Sequence, residues 1–184
     1  MKEKEFRILS RGGQGAVTAA QILVEAAVIG NKYAQAVPNF GQERKGAPVY
    51  TFARLSSEPI QSHTYVYEPD IVVMFDPFLM ELGIDPLKGI KDDSILIIND
   101  KELPDKLNGK FKRIGLLNAW SITHEIIGNV PPNAAMLGAI AKTTGLSEIE
   151  HITEAIINAM GEKIGKINAE CAIKAYERTV IYER

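Results

Sequence analysis

The stretch Glu5-Phe-Arg-Ile-Leu-Ser-Arg-Gly-Gly-Gln-Gly-Ala-Val-Thr-Ala-Ala20 decides the fold. Glu5 to Ser10 alternate as a strand does, and Gly12, Gly13 and Gly15 form a turn. Ala16 to Ile29 is then almost wholly apolar, so the reading is strand, tight turn, buried helix. Thr18, Gln21 and Glu25, three and four apart, make the only polar stripe on that helix, so protein should cover the rest of it. Gly30-Asn31 ends it. Working outward, Lys32–Val37 is a short strand, and Pro38–Pro48 is a polar, glycine-containing loop too rich in breakers for either period. Val49–Leu55 and Ile60–Tyr67, separated by Ser56-Ser-Glu-Pro59, predict an antiparallel hairpin. Ile71–Phe75, Ile95–Ile98 and Arg113–Leu117 are short apolar strands of a mainly parallel sheet. Helices are expected at Ala134–Lys142, Glu148–Met160 and Lys163–Ile181, the last with Ile164, Ile167, Cys171 and Ala175 on its inner stripe. With no repeat or linker, residues 1–184 read as a single α/β domain, Rossmann-like, with an inserted hairpin and a helical final third.

Composition excludes several classes. The chain has 184 residues, a net charge of −2 and a single cysteine, Cys171, on an apolar stripe. One thiol cannot close an intramolecular disulfide or supply the four thiolates of an iron–sulfur cluster, and it reads as a buried, inert group. His63, His124 and His151 lack metal-ligand spacing and read as structural, His63 within a strand. There is no basic block for nucleic acid, no apolar run long enough for a membrane span and no signal-like start, so the expected location is the cytoplasm.

The glycine turn is where an anion would sit, because it brings backbone amides of a helix N-terminus close to a ligand. It is not the dinucleotide fingerprint: the glycine spacing differs, and Gln35 and Val37 stand where an acidic residue would hold a ribose. Nor is it a phosphate loop closed by Gly-Lys-Ser/Thr. On the glycines alone, a ligand turn and a purely steric turn remain equal alternatives. Arg44 and Lys45, in Asn39-Phe-Gly-Gln-Glu-Arg-Lys-Gly46, are either a phosphate clamp or solvated loop charges. Asp76, Asn99 and Asn133 face the same crevice if they do not serve as caps. No nucleophile, acid and base set stands out, so a free-standing enzyme has little support.

Arg11-Gly-Gly-Gln-Gly-Ala-Val-Thr-Ala-Ala20, Tyr33-Ala-Gln35, Phe40-Gly-Gln-Glu-Arg-Lys-Gly-Ala-Pro-Val49 and Pro69-Asp-Ile-Val-Val-Met-Phe-Asp-Pro77 occur in that order. Together they resemble the gamma subunit of the 2-oxoacid:ferredoxin oxidoreductases, the pyruvate and branched-chain oxoacid type most closely. The resemblance implies one subunit of an enzyme that decarboxylates a 2-oxoacid on thiamine diphosphate, transfers the acyl group to coenzyme A and passes electrons to ferredoxin. It places thiamine diphosphate, magnesium and the iron–sulfur clusters on partner alpha, beta and delta subunits, with the isolated chain inactive. It also implies coenzyme A binding here, through Gly12, Gly13, Gln14, Gly15 and Ala16, through Lys45 with Arg44 beside it, and through Asn133. A purely structural subunit is the alternative. The oxoacid, and whether the isolated chain forms a homodimer, stay open.

Overall fold

The computed structural model describes residues 2–38 and 46–184. Elements run β1 (Lys4–Arg11), α1 (Ala16–Ile29), β2 (Tyr33–Pro38), β3 (Pro48–Ser56), β4 (Ile71–Met74), β5 (Ile95–Asn99), β6 (Arg113–Leu117), α2 (Ala119–Ile126), α3 (Asn133–Thr144), α4 (Ile149–Arg178) and β7 (Val180–Glu183). They form one seven-stranded sheet in the order β2-β3-β1-β4-β5-β6-β7. The central pairs β1–β4, β4–β5 and β5–β6 are parallel, while β2–β3, β3–β1 and β6–β7 are antiparallel. The sheet is thus parallel in its core and antiparallel at both margins.

Strand alternation divides the core between the two faces. Phe6, Ile8, Ile71, Val73 and Ile97 pack with the helices. Leu9, Val72, Met74, Leu96, Ile98 and Ile114 pack instead with Leu79 and Leu107, from the short 3-10 helices Pro77–Met80 and Asp105–Leu107, and with Phe111. The helical face is built from small side chains. A Cβ on Gly138 of α3 would come 2.0 Å from the carbonyl oxygen of Ala172 on α4, so only glycine permits this approach.

Two sequence expectations are corrected. Ile60–Tyr67 is not a strand: β1 and β2 already occupy both edges of β3, so the antiparallel hairpin is β2–β3 and the following segment has no free edge to pair with. In that segment Val66 is buried, while Tyr65 and Tyr67 are exposed. At the C-terminal end, the helix stops at Arg178, and Ile181 lies in β7, paired with Gly115 of β6. The expected break between the last two helices is real, because Gly161 in α4 has φ 76° and ψ 163°. However, Ile164 and Ile167 are 60% and 42% exposed. The inner stripe runs through Gly165, Asn168, Ala169 and Ala172, since small residues let the two halves approach and a Cβ on Gly165 would sit 2.6 Å from the Cα of Ile157. Cys171 and Ala175 are buried as expected. Helix α2, which the sequence reading left unassigned, starts with the Asn118 side chain accepting from the amide of Ser121 at 3.0 Å. Among the described residues, no helix is long and apolar enough to cross a membrane.

Candidate functional site at the glycine turn

The turn joins the C-terminal end of β1 to α1, where a parallel sheet core opens its ligand edge. Gly13 has φ 93°, and Gly15, at the helix N-cap, has φ 78° and ψ 19°. A side chain at either position would be strained. A Cβ on Gly13 would meet nothing within 4 Å among the described residues. A Cβ on Gly15 would meet Asn133 at 3.0–3.2 Å, so the turn touches the first residue of α3. Two helix N-termini, those of α1 and α3, therefore converge here.

Neither terminus has a side-chain cap donated by its N-cap residue, and neither has an acidic residue in its first turn. The Asn133 side chain accepts from the neighbouring amide of Ala134 at 2.9 Å. Each helix end carries roughly half a positive charge on its amides. The site thus offers partial positive charge from backbone, with no acidic residue in the first turn of either helix to neutralise it.

Gln14 is held by hydrogen bonds within the protein. It is 7% exposed, and both ends of its amide are engaged inside the protein. Its Oε1 accepts from the amide of Arg11 at 2.7 Å, and its Nε2 donates to Oδ2 of Asp76 at 2.7 Å. Arg11 donates to the same oxygen through Nε at 2.5 Å, and its guanidinium lies over the Phe78 ring. Asp76 Oδ1 in turn accepts from the amide of Phe78 at 3.0 Å. Gln14 and Asp76 therefore lock the turn to the end of β4. The turn is also tied to the start of β3, with Gly12 donating to the carbonyl of Ala47 at 2.9 Å.

Asn99 proves to be a structural tie. Its side chain donates to the carbonyl of Phe75 and accepts from the amide of Ala119, both at 2.8 Å, fixing the start of α2 against β4 and β5. Arg44 and Lys45 lie outside the described residues. Gly46, which follows them, donates to the carbonyl of Gly12 at 3.3 Å, so the described end of that loop rests on the turn. Among the described residues, no group of three or more His, Cys, Asp or Glu could hold a metal ion. His63 stands outside any strand and pairs with Gln35 at 2.9 Å. The Cys171 thiol is fully buried beside Thr123, and burial pushes its pKa up, which suppresses the thiolate. The convergence of Gly15 with Asn133 is what sequence reasoning alone did not supply: the two are far apart in the chain, and only the packing of α1 on α3 joins them.

The sequence matches the family described as pyruvate ferredoxin/flavodoxin oxidoreductase over residues 5–178. It is 47% identical over 183 residues to the pyruvate/ketoisovalerate oxidoreductases common subunit gamma of Pyrococcus furiosus, covering 97% of this chain and 98% of that relative. Among solved structures, the pyruvate oxidoreductase subunit PORC of Thermotoga maritima superposes with a TM-score of 0.84 at 32% identity, covering all of both chains. The 2-oxoglutarate:ferredoxin oxidoreductase of Magnetococcus marinus, solved with 2-oxoglutarate, coenzyme A and succinyl-CoA, shares the fold. Its TM-score is 0.78 at 18% identity, over 96% of this chain and 31% of that one.

Proposed function

The chain belongs to the pyruvate ferredoxin/flavodoxin oxidoreductase family as a gamma subunit of a 2-oxoacid:ferredoxin oxidoreductase, and from that premise we propose that its share of the work is to bind coenzyme A at the glycine turn. The observation that carries this reading is the contact of Gly15 with Asn133, which joins two helix N-termini beside Gly13, where a Cβ would meet no described residue. Coenzyme A carries a pyrophosphate, and two converging sets of helix amides suit such a group. The residues present fit it: amides of Gly13, Gly15 and Ala16 face the anion, and Asn133 contributes a side-chain amide. Lys45, with Arg44 beside it, neutralises a phosphate as a point charge. Gln14 acts indirectly, by fixing the turn. The coenzyme's thiol is the acyl acceptor of the reaction, and this chain holds and orients it.

In the same reading, thiamine diphosphate, magnesium and the iron–sulfur clusters are held by alpha, beta and delta subunits, and ferredoxin accepts the electrons. The chain's single cysteine supports that division, because a cluster requires several thiolates.

Calorimetric titration of the assembled enzyme tests the proposal. Coenzyme A is expected to bind saturably, with Lys45→Ala weakening it by about tenfold, as loss of one charge-assisted phosphate contact should. Nicotinamide dinucleotides are expected not to compete. Unchanged affinity in Lys45→Ala and in Asn133→Ala would overturn the site and favour a subunit whose glycine turn is only a packing device.

A further inference from the structure

The sheet face away from the helices holds two buried arginines, and the structure satisfies them differently. Arg54, 1% exposed, pairs with Glu5 at 2.9 Å and Glu3 at 3.4 Å. Arg7 is 6% exposed on the adjacent strand, in register with Phe52. Its Nη2 donates to the carbonyl of Pro86 at 3.1 Å, while its Nε has no hydrogen-bond partner among the described residues. Among the described residues, no carboxylate lies within ion-pair distance of it. Tyr50 and Asp85 act on it only through space, and burial holds its pKa below the usual guanidinium value. A buried guanidinium remains charged, so an absent counter-ion is strongly unfavourable.

Arg7 forms part of the wall of an open cavity of about 360 Å³. Tyr50, Phe52, Tyr65, Tyr67, Ile84 and Lys88 make up most of the rest. The Phe52 and Tyr65 rings are 5.2 Å apart, and Tyr67 stands at the rim, 74% exposed. Tyrosine and arginine set in an apolar surround are the residue types that dominate protein–protein contact energies. The volume suits one or two inserted side chains. Arg7 and Lys88 outweigh the single carboxylate of the lining, Asp85, which also accepts from the amide of Leu87 at 2.9 Å, so the cavity's charge is positive on balance.

We infer that this cavity is the socket for a partner subunit of the oxidoreductase, which inserts an acidic side chain flanked by apolar residues so that its carboxylate pairs with Arg7. The counter-ion that Arg54 finds within the chain is supplied to Arg7 by assembly. This surface lies on the sheet face opposite the α-helices and is independent of the coenzyme A reading.

The test uses the chain co-expressed with its partner subunits. Arg7→Met keeps length and apolar volume while removing the charge. The isolated variant should melt no lower than the wild type, yet its complex should dissociate at least tenfold more readily. Carbodiimide treatment of the wild-type complex should link Lys88 to an aspartate or glutamate of a partner subunit, and Lys88→Gln should abolish the link. A paired rim variant, Tyr67→Ala with Lys88→Glu, should show the same weakened assembly, so the inference stands or falls even if Arg7→Met does not fold. Wild-type assembly by both variants would overturn it, as would Lys88 linking only within its own chain. Saturable binding of free benzoate by the assembled complex, dependent on Arg7, would also overturn it in favour of a small-molecule site.

Discussion

The two faces of the sheet solve opposite problems. On the helical face, Gly138 lies against the backbone of Ala172, and a Cβ on Gly115 would fall 1.9 Å from the Thr143 hydroxyl oxygen, which itself donates to the carbonyl of Ala139. Close approach carries that face, and the Thr143 hydroxyl is satisfied within its own helix. The opposite face has two short 3-10 helices and turns in place of α-helices, aromatic side chains, and an arginine with no ion pair among the described residues. The fold is thus secured on one side, while the far side and the strand ends retain polar groups that packing does not require.

The largest effect that would test this contrast is Gly138→Ala. Its Cβ would meet backbone, which cannot move aside as a flexible side chain can, so the variant should lose about 3 kcal/mol and roughly 10 °C of melting temperature. A calorimetric scan showing a loss below about 1 kcal/mol would mean the helical face is looser than the geometry indicates. Asp76→Ala should come next. It removes the acceptor shared by Arg11, Gln14 and the amide of Phe78, and a loss of about 2 kcal/mol is expected by denaturant unfolding, reduced from the fully buried case because Arg11 is 37% exposed. By contrast, Arg7→Met on the opposite face should change the isolated chain's stability by less than about 1 kcal/mol, or raise it, since the charge it removes is buried with no ion pair among the described residues.

A smaller effect belongs to pH. The folded thiol of Cys171 has a raised pKa, so its contribution is fully present below the ordinary thiol value of 9.0 and is lost as pH rises toward the raised one. Stability of the wild type should therefore decline above that value more steeply than that of Cys171→Ala, as measured by urea unfolding across alkaline pH. Smallest of all, Glu125→Gln removes the exposed pair with Arg178 and should leave the melting temperature unchanged at moderate salt.

Much of this was legible in the residues. The run from Glu5 to Ile29 announces strand, glycine turn and buried helix because period and turn chemistry agree over a long segment. The hairpin partner was misread because Ile60–Tyr67 has strand-forming composition, and composition does not reveal that β1 and β2 already fill both edges of β3. Ile164 and Ile167 misled in the same way: spacing identified a helix, but the small residues at Gly165, Asn168 and Ala169 chose its inner face. At the site, the glycines and Asn133 were readable one by one. That Asp76 would occupy Gln14, and that Asn133 would rest on Gly15, follows only from the three-dimensional arrangement.

Amide hydrogen exchange of the assembled enzyme, with and without coenzyme A, addresses the proposed role most directly. Protection is expected at Gly13, Gly15 and Ala16 and at the start of α3, with the amide of Gly12, already bonded to Ala47, unchanged. Saturable coenzyme A binding that left those amides exchanging as in the free enzyme would contradict the assignment of the glycine turn.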